Sequence, residues 1–224
     1  MGTNLIVMLT KNDKTVTNAV DVFENCKDLP IKYWGFKNVG IPDSEMRKLI
    51  GKMKASGKKT VLEVVTYTEE SCMDAAKFAC KYEFDYLMGT LFFPSVWEFL
   101  KSQSIQYFPF VGDVYGSPSV LTGSPENMVN QANEFFENDI PGIDILAYRY
   151  NNGNPEELIQ RMVKNSKAKT VVAGNIDSDE RIATVKKLNP WGFTMGSALF
   201  SQKFVKGAGC RANLERVLEV LDAA

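Results

Sequence analysis

The sequence predicts one α/β domain with the (β/α)8 architecture of a TIM barrel, and three observations support this prediction. Eight short apolar runs are spaced along the whole chain of 224 residues. Longer stretches between them carry apolar residues at helical spacing. Capping residues precede those stretches, so the order of strand, loop and helix repeats without a linker, and residues 1–224 are predicted to form a single barrel domain.

The predicted strands are rich in Val, Ile, Leu, Phe and Tyr, as expected of parallel strands that are covered on both faces. They begin near Leu5, Tyr33, Thr60, Tyr86, Ile105, Gly142, Lys169 and Gly192. Helices are predicted where a capping side chain is combined with proline or acidic residues in the first turn. Such starts occur at residues 42–45, 68–71, 124–126, 154–157 and 177–180.

The alternative fold is an open, doubly wound sheet that binds a dinucleotide. That fold needs a Gly-x-Gly-x-x-Gly turn after its first strand. Here the first strand leads into Lys11-Asn12-Asp13-Lys14, which contains no glycine. The barrel is therefore favoured, and no nicotinamide or other cofactor is expected.

The composition excludes several classes of function. The chain has 26 basic and 27 acidic residues, without the basic excess of a nucleic-acid-binding protein. It has no histidine, which excludes Ser-His-Asp and Cys-His catalysis and any metal site that needs imidazole. No apolar run can span a bilayer, and the four cysteines form no Cys-x-x-Cys pair. We expect a cytoplasmic protein without a metal ion, nucleic acid or membrane partner. Whether the protein forms a homo-oligomer is left open by the sequence.

The loops after the last two predicted strands combine glycines with polar residues. In a barrel, chemistry takes place where the carboxyl ends of the strands meet. Gly174 and Asn175 follow the seventh strand, and Gly196 and Ser197 follow the eighth. Their backbone N–H groups are predicted to converge on one anion, since glycine permits close approach and a helix begins near Ser197. Alternatively, both glycines serve only tight turns.

These two strand ends resemble the phosphate-binding strand ends of the ribulose-phosphate-binding barrels. Their sequences are Ala173-Gly174-Asn175-Ile176 and Met195-Gly196-Ser197-Ala198. That superfamily includes pentose- and hexulose-phosphate enzymes and the indole- and tryptophan-pathway barrels. The resemblance covers the whole architecture, but only these two motifs carry it specifically. It implies a small phosphorylated metabolite as partner. Many members have a second glycine where Asn175 stands, and asparagine tolerates a positive φ better than most residues.

Two catalytic residue patterns of that superfamily are absent from this sequence. Some members have an Asp-x-Lys-x-x-Asp signature on the third strand, but here that strand reads Leu62-Glu63-Val64-Val65-Thr66-Tyr67. The epimerases of the superfamily bind metal through histidines, which this chain lacks. The resemblance therefore implies an anionic ligand and no named reaction.

Charged residues inside apolar strands supply the candidate chemistry. Lys37 and Glu63 must be paired or solvated, because burying a lone charge is costly. They form either an acid/base pair, with Lys37 also able to form a Schiff base, or a structural ion pair. Arg149 either holds an anionic group or forms a surface salt bridge.

Asp144 is expected to cap the start of the sixth strand, with an inward position as the alternative. The loop 112–124 is either a lid or binding loop, or a mobile connection.

Three functions remain open at this point. The first is an enzyme of the lyase/aldolase or isomerase type acting on a small phosphorylated carbonyl metabolite. It would use Lys37, Glu63 and Arg149 as catalytic residues and hold phosphate at Gly174, Asn175, Gly196 and Ser197. The second is a regulatory barrel that binds a phospho-metabolite without turnover, and the third is a barrel without a small ligand.

Overall fold

Eight parallel strands form a nearly closed barrel in the computed structural model, which describes residues 2–223. The strands are β1 (Asn4–Met8), β2 (Tyr33–Phe36), β3 (Lys59–Thr66), β4 (Tyr86–Thr90), β5 (Gln106–Phe108), β6 (Gly142–Ile145), β7 (Lys169–Val172) and β8 (Gly192–Met195). Successive strands are neighbours, and β8 pairs with β1. Between β5 and β6, a bridge joins Phe110 to Asp144. The predicted TIM-barrel fold is confirmed.

Helices surround the barrel and follow the strands in the predicted order. They are α1 (Ala19–Cys26), α2 (Asp43–Ala55), α3 (Glu69–Lys81), α4 (Pro94–Leu100), α5 (Pro125–Glu137), α6 (Pro155–Asn165), α7 (Asp179–Leu188), the short α8 (Ser197–Phe200) and α9 (Cys210–Ala223). No helix within residues 2–223 is long and apolar enough to cross a membrane.

The predicted capping residues start most of the helices that they precede. The side chains of Thr68, Ser124 and Asn154 accept hydrogen bonds from backbone N–H groups in the first turns of α3, α5 and α6. At α7 the cap is Ser178. By contrast, α2 begins after Pro42 without a side-chain cap. Each such cap contributes about 0.5–2 kcal/mol, so these side chains fix where the helices leave the strand ends.

Apolar side chains fill both faces of the strands. One apolar cluster packs inside the barrel. It comprises Ile6, Met8, Tyr33, Val61, Met88, Phe108 and Val171. Residues that alternate with these, such as Leu5 and Val7, belong to the larger core between strands and helices. Because successive side chains of a strand point to opposite faces, both layers need apolar residues, which explains the nearly continuous apolar runs.

Two β-hairpins lie at the carboxyl end of the barrel. The first pairs Thr10–Lys11 with Lys14–Thr15 through Asn12 and Asp13, whose φ angles of 50° and 60° suit a two-residue turn. The second pairs Asp113–Tyr115 with Val120–Thr122 and accounts for most of the loop 112–124. This loop is therefore a folded hairpin beside the barrel mouth.

Candidate functional site

A cavity of about 180 Å³ opens where the carboxyl ends of the strands meet. All seven residues proposed from the sequence line this cavity: Lys37, Glu63, Arg149, Gly174, Asn175, Gly196 and Ser197. They come from five strand ends that lie far apart in the sequence. The structure thus brings the candidate residues together, while their chemical roles stay predictions.

Lys37 follows β2 and lies almost completely buried beneath the mouth. Its backbone is held by Thr15, whose hydroxyl donates to the Lys37 carbonyl at 2.7 Å and accepts from its N–H at 3.0 Å. Its Nζ donates to Oδ1 of Asp13 at 2.9 Å and lies 4.0 Å from Oε2 of Glu63. Burial opposes the charged form, but the two carboxylates outweigh it and raise the pKa of Lys37 above its ordinary value. Lys37 is therefore an ammonium ion at neutral pH.

Glu63 lies two residues after Val61, which packs inside the barrel, so the alternation of β3 turns its side chain towards the cavity. The strand becomes irregular just after Glu63. Glu63 pairs with Met88 and Thr66 pairs with Thr90, so β3 carries one more residue than β4 between these pairs. Such a bulge re-aims the side chains around it. The Cγ of Glu63 lies over Gly89, where an added Cβ would come within 3.1 Å of it. Gly89 has a φ of 86° as well, so a side chain at this position would strain the backbone and crowd Glu63.

Asp144 corrects the expectation that it caps the start of the sixth strand. It lies inside β6, it is fully buried, and neither carboxyl oxygen has a hydrogen-bond partner within residues 2–223. Burial and the negative charge of Glu63 raise its pKa well above the usual range, although Lys37 and Arg149 oppose this. Asp144 is therefore a neutral acid near the charged residues of the mouth.

Arg149 stands at the end of a 3-10 turn, Ala147–Arg149, that follows β6. Its stem lies over Gly174, where an added Cβ would come within 3.0 Å of the Arg149 Cγ. Within the described chain its guanidinium makes no salt bridge, so the alternative of a surface ion pair is not what the structure contains. A half-buried guanidinium that faces a cavity is suited to an anionic group.

The loops after β7 and β8 meet across the cavity. Gly174 and Asn175 have φ angles of 86° and 42°, so asparagine does adopt the positive φ expected of it. Among residues 2–223, the backbone N–H groups of Gly174, Asn175 and Gly196 find no acceptor. Gly196 is required for packing, since an added Cβ would lie 2.6 Å from the Thr10 hydroxyl. The glycines thus allow close approach of protein groups, and their N–H groups stay available to a ligand.

The cavity is also lined by residues that the sequence did not single out for the site, among them Asp13, Ser119 and Lys203. Asp13 was overlooked although its position after Asn12 is typical of a tight hairpin turn, which carries its carboxylate back over Lys37. Ser119 is nearly buried and shares a hydrogen bond of 2.6 Å with the Tyr67 hydroxyl. Lys203 is exposed at the rim, and no sequence signal distinguishes it from other surface lysines. No group of three or more His, Cys, Asp or Glu residues in the described chain could hold a metal ion.

The fold and the polar cavity define a single-domain (β/α)8 barrel with its candidate site at the carboxyl ends of the strands. No protein-family model matches the sequence. No curated protein matches it either.

Solved structures match the fold over nearly the whole chain. Orotidine 5'-phosphate decarboxylase from Pyrococcus horikoshii OT3 has a TM-score of 0.69 at 12% identity, covering 98% of this chain and 100% of the other. The tryptophan synthase α-subunit from Pyrococcus furiosus has a TM-score of 0.66 at 13% identity, covering 100% and 98%. A chain of the BexX/CysO complex from Amycolatopsis orientalis has a TM-score of 0.62 at 13% identity, covering 99% and 90%.

The first two of these structures are members of the ribulose-phosphate-binding barrels. The resemblance drawn from the two strand ends is therefore confirmed for the fold. At this identity the likeness shows no reaction and no specific member of the superfamily.

Proposed function

We propose that this protein is an enzyme of the lyase/aldolase or isomerase type that acts on a small phosphorylated carbonyl compound. The observation that carries the proposal is the single cavity lined by Arg149, by the loops after β7 and β8, and by Lys37 and Glu63. Anion-binding groups stand on one side of this cavity and an ammonium–carboxylate pair on the other. A keto phosphate has matching groups at its two ends.

The phosphate is assigned to the side formed by Gly174, Asn175, Gly196 and Ser197. Backbone N–H groups that have no acceptor in the protein can donate to phosphate oxygens, and the planar fork of Arg149 can donate two parallel hydrogen bonds. A phosphorylated substrate also agrees with the neighbour named as a decarboxylase of orotidine 5'-phosphate.

Lys37 and Glu63 are assigned to the carbonyl and to the adjacent carbon. A lysine that forms a Schiff base needs a lowered pKa, whereas the pKa of Lys37 is raised. Carbonyl polarisation is therefore favoured over an imine. Glu63 takes the proton from the carbon beside the carbonyl, and the C–H electron pair forms a C=C bond. The carbonyl electron pair moves to oxygen, where the Lys37 ammonium group stabilises the negative charge.

Binding is tested by isothermal titration with dihydroxyacetone phosphate, and with dihydroxyacetone as the matched compound without phosphate. We expect saturable binding of the phosphate compound and none of the parent ketone at the same concentrations. Equal binding of both compounds, or of neither, would contradict the assigned phosphate site.

Proton transfer is tested by NMR in D2O, which records exchange of the protons beside the carbonyl of bound dihydroxyacetone phosphate. An enzyme of the proposed type exchanges them, and the Glu63→Gln variant slows this exchange by about 100-fold or more. Binding without exchange, and without turnover of a panel of keto and aldehyde phosphates, would favour the regulatory barrel. Trapping of Lys37 by borohydride would show that an imine forms instead.

A further inference from the structure

A second and larger cavity, of about 550 Å³, adjoins the first at the barrel mouth on the side of β2, β3 and α3. Both cavities are lined by Asp13, Lys37, Glu63, Val65 and Ser119. Because the ammonium–carboxylate pair stands in this shared wall, a molecule held by Lys37 and Glu63 can extend into both cavities.

The bulge in β3 lies in the wall of this second cavity. The extra residue lies between Glu63 and Thr66, where Val64 and Val65 are found. Val64 lines only the second cavity, and Val65 lines both. The last four residues of β3 are all only partly buried, unlike Thr60 to Leu62. The strand end is therefore incompletely covered: Glu63 and Val65 border both cavities, and Val64 and Thr66 border the second alone.

The volumes indicate that the two cavities take different parts of one molecule. Small-molecule sites typically have volumes of about 300–1,000 Å³. The first cavity, at about 180 Å³, is smaller than this range, and the second, at about 550 Å³, lies within it. The first therefore has room for a phosphate and a few further atoms, whereas a larger group must enter the second.

The walls of the second cavity are mainly apolar. They include Val39, Val64, Val65, Ala75 and Phe78. Val39 is 46% exposed, which is unusual for a large apolar side chain in this protein. Apolar surface of this kind is stabilised by an apolar group that removes it from water.

Four of the five hydroxyl groups that line this cavity are already engaged by the protein. The Tyr67 hydroxyl donates to the Gly116 carbonyl at 2.9 Å and also bonds to Ser119. The hydroxyls of Thr66 and Ser71 bond to each other. These contacts leave few polar partners for a ligand, and they hold the walls in place before anything binds. This cavity is also lined by Asn38, Asp74 and Ser117.

We propose that the second cavity binds an uncharged apolar group of ring size on the same substrate. This inference rests on the proposed function and narrows its substrate class. The substrate is then a keto phosphate whose carbonyl carries an aryl or branched alkyl substituent on the side away from the phosphate.

The test compares two compounds that place phosphate and carbonyl identically, dihydroxyacetone phosphate and 2-oxo-4-phenylbutyl phosphate. We expect the phenyl compound to bind at least about tenfold more tightly, because its ring is removed from water. Val39→Trp fills part of the cavity and Val39→Asp adds a charge to its wall. Each variant should reduce the ratio of the two Kd values to less than about threefold. Phe136→Trp, at another exposed apolar side chain outside both cavities, is the matched control and should retain the ratio.

The outcomes separate this inference from the proposed function. If both phosphates bind with equal Kd values, or if the Val39 variants retain the ratio, the second cavity is not a subsite, while the phosphate site stands. If neither phosphate binds, the proposed function fails and the inference fails with it. Thermal unfolding of each variant, measured alongside, verifies that the fold is intact.

Discussion

The two ends of the barrel interior are built on the same eight strands in opposite ways. Towards the amino end, four aromatic rings pack against one another with centroids 5.3–5.8 Å apart. They belong to Tyr33, Tyr86, Phe108 and Trp191. The rings are stabilised by burial and by their edge-to-face and tilted contacts, without a charged group among them.

The carboxyl end instead concentrates charged and titratable groups, some of which lack full compensation. Asp144 is buried without a partner and Arg149 makes no salt bridge in the described chain, whereas Lys37 is held between Asp13 and Glu63. Burying such groups costs stability. The uncompensated groups lie at the carboxyl end, whereas the amino end is an ordinary apolar core. Stabilising contacts and candidate chemistry are therefore found in separate regions of the barrel. Substitutions at the two ends should therefore affect different measurements.

The largest expected effect is on the free energy of unfolding, after substitution at the amino end. Phe108 is fully buried, and its ring occupies the space that a Cβ on Gly142 would need. Phe108→Ala should lower the free energy of unfolding by about 3–5 kcal/mol through lost burial and a residual cavity. Chemical denaturation measures this, and binding of dihydroxyacetone phosphate to the folded fraction should be unchanged.

Phe136→Ala on α5 is the matched control, since Phe136 is 43% exposed. It should change the free energy of unfolding by less than about 0.5 kcal/mol. A similar loss in both variants would mean that the aromatic cluster is not a distinct source of stability.

The next effect is on ligand affinity, after substitution at the carboxyl end. Arg149→Gln should raise the Kd for dihydroxyacetone phosphate by about 10- to 150-fold, because hydrogen bonds to a charged group contribute about 1.5–3 kcal/mol. Its unfolding midpoint should stay close to that of the wild type, as no protein partner is lost. Arg161→Gln on the surface of α6 is the control. An equal Kd in both variants would remove Arg149 from the anion site.

A smaller effect concerns the pH dependence of stability and Asp144. Its raised pKa in the folded state means that the unfolded chain releases this proton at lower pH than the folded one. The stability contribution of Asp144 is thus full below the unfolded pKa, near 3.8, and is lost as pH rises. Asp144→Asn should then be more stable than the wild type at pH 7, by about 1 kcal/mol, and equally stable at pH 3.

Urea denaturation at several pH values measures this difference, with Asp139→Asn as the surface control. A difference between wild type and Asp144→Asn that is the same at pH 3 and pH 7 would show that Asp144 is not kept neutral by its burial.

The smallest effect is expected for Asn175→Gly, which restores the glycine found in many ribulose-phosphate-binding barrels. If the ligand contacts the backbone N–H rather than the asparagine side chain, the Kd for dihydroxyacetone phosphate should change by less than about twofold. Asn189→Gly is the control, because Asn189 also adopts a positive φ, at the end of α7. A large loss of affinity in Asn175→Gly alone would assign the contact to the side chain.

The strands and most helix starts were predictable, because apolar runs and caps are local signals. The β3 bulge was not, since Glu63-Val64-Val65-Thr66 reads as an ordinary strand whether or not a residue is looped out. The inward position of Asp144 was only the less favoured alternative, because an apolar strand covered on both faces gives no sign of which face a residue takes. Asp13 was missed because its contact with Lys37 spans 24 residues. The rule that a barrel's site lies at the carboxyl ends of its strands nevertheless identified seven residues that line one cavity.

Amide NMR distinguishes one shared anion site, formed by the loops after β7 and β8, from two separate sites. In a titration with dihydroxyacetone phosphate, the backbone N–H signals of Gly174, Asn175, Gly196 and Ser197 should shift together with one common Kd. The Trp191 and Gly142 signals at the amino end should stay in place. Shifts confined to one of the two loops, or different Kd values for the two loops, would contradict a shared site.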